Sequence, residues 1–310
     1  GSKRTTLTSL TRQQSFCNTQ VHKFKTILAP MLLINFIYII FYVALQKTSL
    51  YSLIQNNEPI NLFQRLKILF IWMGTPDFGG ATWFLLVLFV IEIIFKIISD
   101  ISNKLNFFGA EVLLVSLISF TGWFLINNKI SLPYYFDISM FGLSFFFLGL
   151  TFRKHNIFHK NIDHKFMLPF AIIIVIFFGS FYFKGKLPMN WPTKQFPPLS
   201  IQFVSVICGI YLTFIFAKIL EYSIILNKFL VYIGQHTFCI LITHFFIFRL
   251  IFGFFVWVNI FPKDYLRELT PRYSPYPFWL FLTSFSLFLC ALIARISRKN
   301  RILNYIFNAR

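Results

Sequence analysis

The chain has 310 residues, of which 57% are hydrophobic, 21% aromatic and only 13% charged. Because so few polar side chains cannot cover a soluble domain, this composition excludes a soluble globular protein and indicates a polytopic membrane protein. The net charge of +19 does not indicate nucleic-acid binding, because the basic residues lie in loops and tails between apolar runs, where they can contact anionic lipid headgroups.

The N-terminal half predicts a tail followed by four membrane spans. Residues 1–25 are predicted to form a basic cytoplasmic tail, and residues 26–296 a transmembrane helical domain. Spans are predicted at 26–46, 82–98, 110–126 and 134–152, and each is close to the ~20 residues that cross a bilayer. A short amphipathic stretch at 62–73 is predicted to lie in the membrane interface.

The C-terminal half predicts four more spans and a second basic cytoplasmic tail at 297–310. Three of the spans are expected at 166–183, 200–220 and 277–296. The apolar run at 228–259 exceeds the usual span length, so it should be tilted or broken. The distribution of Lys and Arg among the loops favours the cytoplasm for both termini. The predicted fold is an all-α polytopic membrane protein with about eight transmembrane helices and both termini cytoplasmic.

A glycine-rich segment, 74–80, runs directly into the second predicted span. Thr82 could cap the start of the helix through its hydroxyl. Trp83 follows at the depth that indoles prefer, with the ring in the hydrocarbon margin and the N–H toward water. Two interpretations are open: a membrane-interface tryptophan behind a loop, or a loop that lines a binding site, because irregular backbone beside a membrane helix often builds pockets. The charge count places this loop and the proline-rich loop at 188–198 on the outer face.

Glu92 lies near the middle of the second predicted span. An ionisable residue at this depth is expensive to bury, so it is a candidate functional residue. The alternative is a structural ion pair with Lys96, which is four residues further along the same helix.

The seventh predicted span has the most polar interior. Because seven residues return a helix to nearly the same direction, Thr237 aligns with His244, and His236 aligns with Thr243. This polar face predicts a water-filled cavity in which a histidine could act as a general base. The alternative is an interhelical hydrogen bond worth about 1 kcal/mol. Arg249 could hold a phosphate or carboxylate, or extend toward a lipid headgroup.

The loop at 153–165 carries three histidines among several lysines. These histidines are spaced too loosely for a metal site and the lysines repel cations, so no metal is predicted. Arg153, Lys154 and Lys160 could instead attract an anionic cofactor, such as the phosphates of coenzyme A.

Two short segments resemble a known family: Thr82-Trp83-Phe84-Leu85, and Tyr232-Ile233-Gly234-Gln235-His236-Thr237 followed by His244. The chain resembles the integral-membrane acyltransferase family 3, whose members O-acylate sugars of lipopolysaccharide, capsule and other surface glycans. Members show a Trp-Phe-Leu opening of a middle span, and an Ile-Gly-x-x-Thr/Ser segment followed by a histidine within a span. The basic stretch from Lys23 to Pro30 is also similar, although Lys23 and Lys25 stand where the family usually has paired arginines.

This resemblance implies an acyl-CoA donor, such as acetyl-CoA, and a glycan or lipid-linked sugar as acceptor, at a bacterial inner membrane. A base would deprotonate the sugar hydroxyl while polar groups stabilise the oxyanion. The candidate catalytic residues are His244 and Glu92. The residues expected to line the substrate or donor site are Thr82, Trp83, His236, Thr237 and Arg249.

One family feature is missing from the sequence. The family's first span carries a basic residue and, about eleven positions later, a histidine thought to act on the sugar hydroxyl, and nothing before Thr26 could form that span. The resemblance therefore predicts a chain truncated at its start, and catalysis by these 310 residues alone is not expected. His244 does not simply take the role of the missing histidine. The alternatives are a transporter or flippase of a polar or lipid-linked molecule, and a non-catalytic membrane scaffold or fragment.

Overall fold

The computed structural model describes residues 21–48, 61–72, 80–105, 107, 109–155, 164–183, 194–267 and 278–308. This part of the chain contains eleven α-helices with short π and 3-10 turns. The helices are α1 Val21–Leu45, α2 Leu62–Trp72, α3 Trp83–Leu105, α4 Ala110–Asn127, α5 Phe136–Lys154, α6 His164–Phe183, α7 Leu199–Glu221, α8 Ile224–Gln235, α9 Thr237–Trp257, α10 Phe278–Ser297 and α11 Arg301–Asn308.

Several predicted features lie outside the described residues. They are the tail at 1–20, most of the glycine-rich segment, residues 188–193 of the proline-rich loop, and Lys160 with its neighbouring histidine His159.

Six of the described helices are long and apolar enough to cross a membrane: α1, α4, α5 with the turn before it, α7, α9 and α10. The second and fifth predicted spans coincide with α3 and α6, which have 23 and 20 residues. The prediction of an all-helical polytopic membrane protein is confirmed. The total of eight spans and the cytoplasmic location of both termini stay predictions.

The long apolar run near the C-terminus, which was predicted to be tilted or broken, is broken. α8 ends at Gln235 and α9 begins at Thr237, and His236 between them has non-helical dihedral angles of φ −113° and ψ 13°. The Thr237 hydroxyl donates to the Gly234 carbonyl at 2.7 Å. The break therefore places polar side chains where the helical backbone hydrogen bonds are interrupted.

α1 begins irregularly because of a proline. Residues Phe24–Leu28 form a π-helical turn that ends two residues before Pro30. Proline has no N–H to donate and its ring crowds the carbonyl four residues earlier, and a wider turn relieves that crowding.

The chain forms two compact units. The first unit contains residues 1–93, 133–135 and 232–310, and the second contains residues 94–132 and 136–231. α1 organises the core of the first unit, because its buried residues recur every three or four positions and form one stripe. The stripe packs against residues of α3, α9 and α11. The buried residues of this core, from all four helices, are Leu28, Met31, Ile34, Tyr38, Tyr42, Leu85, Leu86, Ile242 and Ile306.

The C-terminal segment contains a helix that the sequence did not predict. The side-chain oxygen of Asn300 accepts the backbone N–H groups of Ile302 and Leu303, which caps the start of α11. Ile306 is buried in the core of the first unit, and the Tyr305 hydroxyl donates to the Lys25 carbonyl at 2.8 Å. The segment at 297–310, predicted as a basic tail, is therefore partly a packed amphipathic helix.

In the second unit, α4 and α5 form a tightly packed pair. A Cβ atom placed on Gly122 of α4 would lie 2.5 Å from the backbone nitrogen of Phe141 and 2.9 Å from the carbonyl oxygen of Asp137. Only glycine allows so close an approach of two backbones, as at small-residue contacts between membrane helices.

We expect Gly122→Ala to destabilise the second unit by about 1–3 kcal/mol, because the added methyl group forces α4 and α5 apart. Gly149→Ala on α5 is the matched control, since a Cβ there meets no atom within 4 Å. The measurement is thermal unfolding of both variants in detergent micelles. Equal unfolding temperatures for the two variants would contradict the close contact at Gly122.

Candidate functional site

A buried polar pair links α1 to the start of α3 in the first unit. The Asn35 side-chain amide donates to the Thr82 hydroxyl at 2.9 Å, and that hydroxyl also lies 3.3 Å from the Asn35 carbonyl oxygen. Both side chains are fully buried. The hydroxyl that was predicted to cap α3 is thus held by an amide from another helix.

We expect this pair to be energetically coupled. Asn35→Leu and Thr82→Val should each lower stability by about 1–2 kcal/mol, because each removes the hydrogen bond between these two buried side chains. The double variant should lose less than the sum, with a coupling energy of about 0.6–1.7 kcal/mol. A double-mutant cycle of unfolding free energies in micelles measures this, and additive losses would contradict a direct bond.

Trp83, the next residue, is half-buried against aromatic rings of the first unit. Its ring centroid lies 6.0 Å from that of Tyr135 with an interplanar angle of 45°, and 6.2 Å from that of Phe84 with an angle of 86°. These are ordinary aromatic packing geometries.

Glu92 forms an ion pair between helices. Its carboxylate lies 2.6 Å from the ammonium of Lys23 on α1, and the two side chains are 17% and 31% exposed. Lys96, the alternative partner, forms an ion pair with Asp100 at 2.8 Å. The long lysine stem allows the N-terminal end of α1 to neutralise a carboxylate well inside α3.

The histidine His244 is anchored by one of its two ring nitrogens. Nδ1 donates to the Ile240 carbonyl at 2.8 Å. Because a carbonyl can only accept, Nδ1 must carry a proton, and in the neutral ring Nε2 keeps its lone pair. The ring is half-buried, with its centroid 4.2 Å from that of Phe245 and 6.3 Å from that of Phe248. Aromatic side chains thus flank a basic nitrogen.

The other predicted polar residues of this region also bond to nearby backbone. His236 is 2% exposed, its Nδ1 donates to the Tyr232 carbonyl at 2.7 Å, and its Nε2 has no hydrogen-bond partner among the described residues. The Thr243 hydroxyl, which is buried, donates to the Cys239 carbonyl at 2.7 Å. Thr237 is exposed, so the two predicted aligned pairs differ: His236 and Thr243 are both buried, whereas Thr237 and His244 are not.

Arg249 is 8% exposed within α9, five residues beyond His244. A buried guanidinium requires acceptors or anions around it, so this position places a charged group inside a helix long enough to cross a membrane.

Sequence reasoning missed the role of α1. Lys23 contacts Glu92, Asn35 contacts Thr82, and the Tyr38 hydroxyl donates to the Ile242 carbonyl of α9 at 2.8 Å. α1 therefore joins the two helices that carry the family-like segments. A signal was available, because an asparagine within an apolar span is a polar residue that needs a partner.

No three His, Cys, Asp or Glu side chains of the described residues come together as a metal site would require. The basic residues Arg153 and Lys154, at the C-terminal end of α5 in the second unit, are exposed. They are positioned to interact with an anion in the surrounding medium.

Comparison with known proteins identifies a family. A family model described as an acyltransferase domain matches residues 6–295. Searches of the curated proteins and of the solved structures found no match. Since the family match covers most of the chain, and the described helices suit a bilayer, the protein is an integral-membrane member of acyltransferase family 3.

Proposed function

We propose that this protein is an O-acyltransferase of a bacterial inner membrane that transfers an acetyl or other acyl group from an acyl-CoA to a sugar hydroxyl of a cell-surface glycan, such as lipopolysaccharide. The family supports acyl transfer. The observation that carries the proposal is the anchored imidazole of His244, whose Nδ1–H is fixed by the Ile240 carbonyl. A neutral histidine held in this tautomer presents Nε2 as a base.

Although the resemblance did not assign it this role, Nε2 of His244 takes the proton of the sugar hydroxyl in the proposed reaction, as the hydroxyl oxygen attacks the thioester carbonyl. The new C–O bond forms, the C–S bond breaks, and the thiolate of coenzyme A leaves and receives the proton from the imidazolium. Hydrogen-bond donors at the carbonyl oxygen would stabilise the developing negative charge. Glu92 is the second candidate base, and its ion pair with Lys23 must open before it can accept a proton.

The donor is expected to approach the basic side of the membrane domain. Arg153 and Lys154 are exposed at the end of α5, on the face that the charge distribution assigns to the cytoplasm. Positive charge at this surface raises the local concentration of an anionic donor such as acetyl-CoA.

The test uses the full-length protein in proteoliposomes with radiolabelled acetyl-CoA and isolated surface glycan. The proposal expects labelled glycan and stoichiometric free coenzyme A. Movement of a lipid-linked or soluble glycan across the liposome without an acylated product would overturn it in favour of transport. Absence of both acylated product and movement would overturn it in favour of a scaffold.

A further inference from the structure

The second unit contains a cleft that the acyl-transfer proposal does not use. It has a volume of about 520 Å³ and lies among α4, α5 and α7, which is a typical size for a ligand site. Its lining consists of ten apolar side chains and three serines, including Val115, Ser119, Trp123, Phe141, Leu148 and Phe203. So apolar a space holds water poorly, and its walls lose dispersion contacts if it is empty.

The cleft is elongated along the helices. On α4 the lining extends from Val112 to Trp123, a distance of about 16 Å at the helical rise per residue. α5 and α7 line it from Phe141 to Leu148 and from Leu199 to Ile207. A groove that runs parallel to membrane-spanning helices suits a hydrocarbon chain, because lipid chains lie in the same direction.

One end of the cleft carries an ion-paired ammonium group with donor capacity left among the described residues. Lys194 lies 2.6 Å from the fully buried Asp137 carboxylate and donates to the Ser131 hydroxyl at 2.7 Å. An ammonium has three N–H donors, and the described residues supply acceptors for two of them; the side chain is 19% exposed. Asp137 precedes Phe141 by one turn of α5, which places this ion pair just beyond the end of the cleft.

Ser119 supplies a polar group deeper in the cleft. It is 6% exposed, and its hydroxyl has no hydrogen-bond partner among the described residues. Gly122, one turn away on α4, lies against the Asp137 carbonyl. Because Ser119 is three residues from Gly122, it lies about 4.5 Å deeper in the cleft along the helix axis than Asp137 does.

We propose that this cleft binds one acyl chain of a bilayer phospholipid, with the lipid phosphate at Lys194 and the ester carbonyl at Ser119. The third ammonium donor of Lys194 complements the phosphate, and the unpartnered hydroxyl donates to the ester. This order, phosphate outside and ester one helical turn inside, matches a glycerophospholipid. A polyprenyl phosphate has no ester carbonyl to accept from Ser119, so we commit to the phospholipid.

The test is photo-crosslinking of the full-length protein in phosphatidylglycerol vesicles that contain a diazirine-labelled phosphatidylglycerol. Adducts are expected on peptides that cover 112–123, 141–148 or 199–207. Ser119→Phe fills the cleft and should reduce labelling of these peptides at least tenfold. The matched control is Thr121→Phe, which adds the same ring at an exposed position of α4 and should leave labelling unchanged. If Ser119→Phe does not fold, Ser144→Phe on α5 fills the same cleft.

Equal labelling of the filled and control variants would overturn the proposal. So would adducts confined to other helices, or competition by a polyprenyl phosphate but not by unlabelled phospholipid. None of these outcomes bears on acyl transfer, so failure here is distinguishable from failure of the proposed function.

Discussion

Replacing His244 by glutamine is expected to lower the rate of acyl transfer by about 10²–10⁴-fold, which is the usual contribution of a general base. Glutamine retains size and polarity but cannot accept a proton near neutral pH. Because the base acts on the chemical step, kcat should fall while KM for the donor changes little. The measurement is the initial rate of label transfer from acetyl-CoA to glycan in proteoliposomes.

His155→Gln is the matched control, because His155 is an exposed histidine beyond the end of α5. Its rate should equal that of the unaltered protein. Unfolding temperatures of both variants show whether His244→Gln folds. A folded His244→Gln protein with full activity would remove His244 from the chemistry and leave Glu92 as the candidate base.

Much of the helical arrangement was predictable because hydrophobic runs set it directly. The predicted spans at 110–126 and 200–220 agree within one residue with α4 and α7. The apolar run at 228–259 was predicted to be tilted or broken because it is longer than a bilayer is thick, but the position of the break at His236 was not predicted. α3 continues seven residues beyond the predicted span, to Leu105, because a helix does not end where its residues become polar.

The partners of polar residues were not predictable from local spacing. Glu92 had a suitable lysine one turn away, but the structure pairs it with Lys23, which is 69 positions earlier in the sequence. Which lysine pairs with Glu92 depends on which faces of two helices meet. Local rules compare only neighbours within one helix, so they could not select it.

The candidate site was identified only in part. The histidines of α9 and the residues at the start of α3 were named from their types, whereas Asn35 and Tyr38, which hold these helices to α1, were not. Asp137 was also missed, although an aspartate one turn inside a predicted span is a candidate by the reasoning that selected Glu92. Applying that reasoning to every span would have found it.

Replacing Lys194 by methionine is expected to lower the free energy of unfolding by about 3–5 kcal/mol, because it leaves the carboxylate of Asp137 buried without its counter-charge. Asp137 is fully buried and its carboxylate lies 2.6 Å from the Lys194 ammonium. Lys104→Met is the control, since Lys104 is exposed near the end of α3 and its loss should change stability by less than about 0.5 kcal/mol. Denaturant unfolding in micelles provides both values.

The double variant Asp137→Asn with Lys194→Met distinguishes a buried charge from a simple packing defect. Removing both charges relieves the penalty of an isolated carboxylate, so the double variant should regain most of the stability lost in Lys194→Met. If the pair were screened by water as a surface ion pair is, the single substitution would change stability by less than about 1 kcal/mol. A double variant that is less stable than Lys194→Met would show that Asp137 has another role at this position, independent of its ion pair.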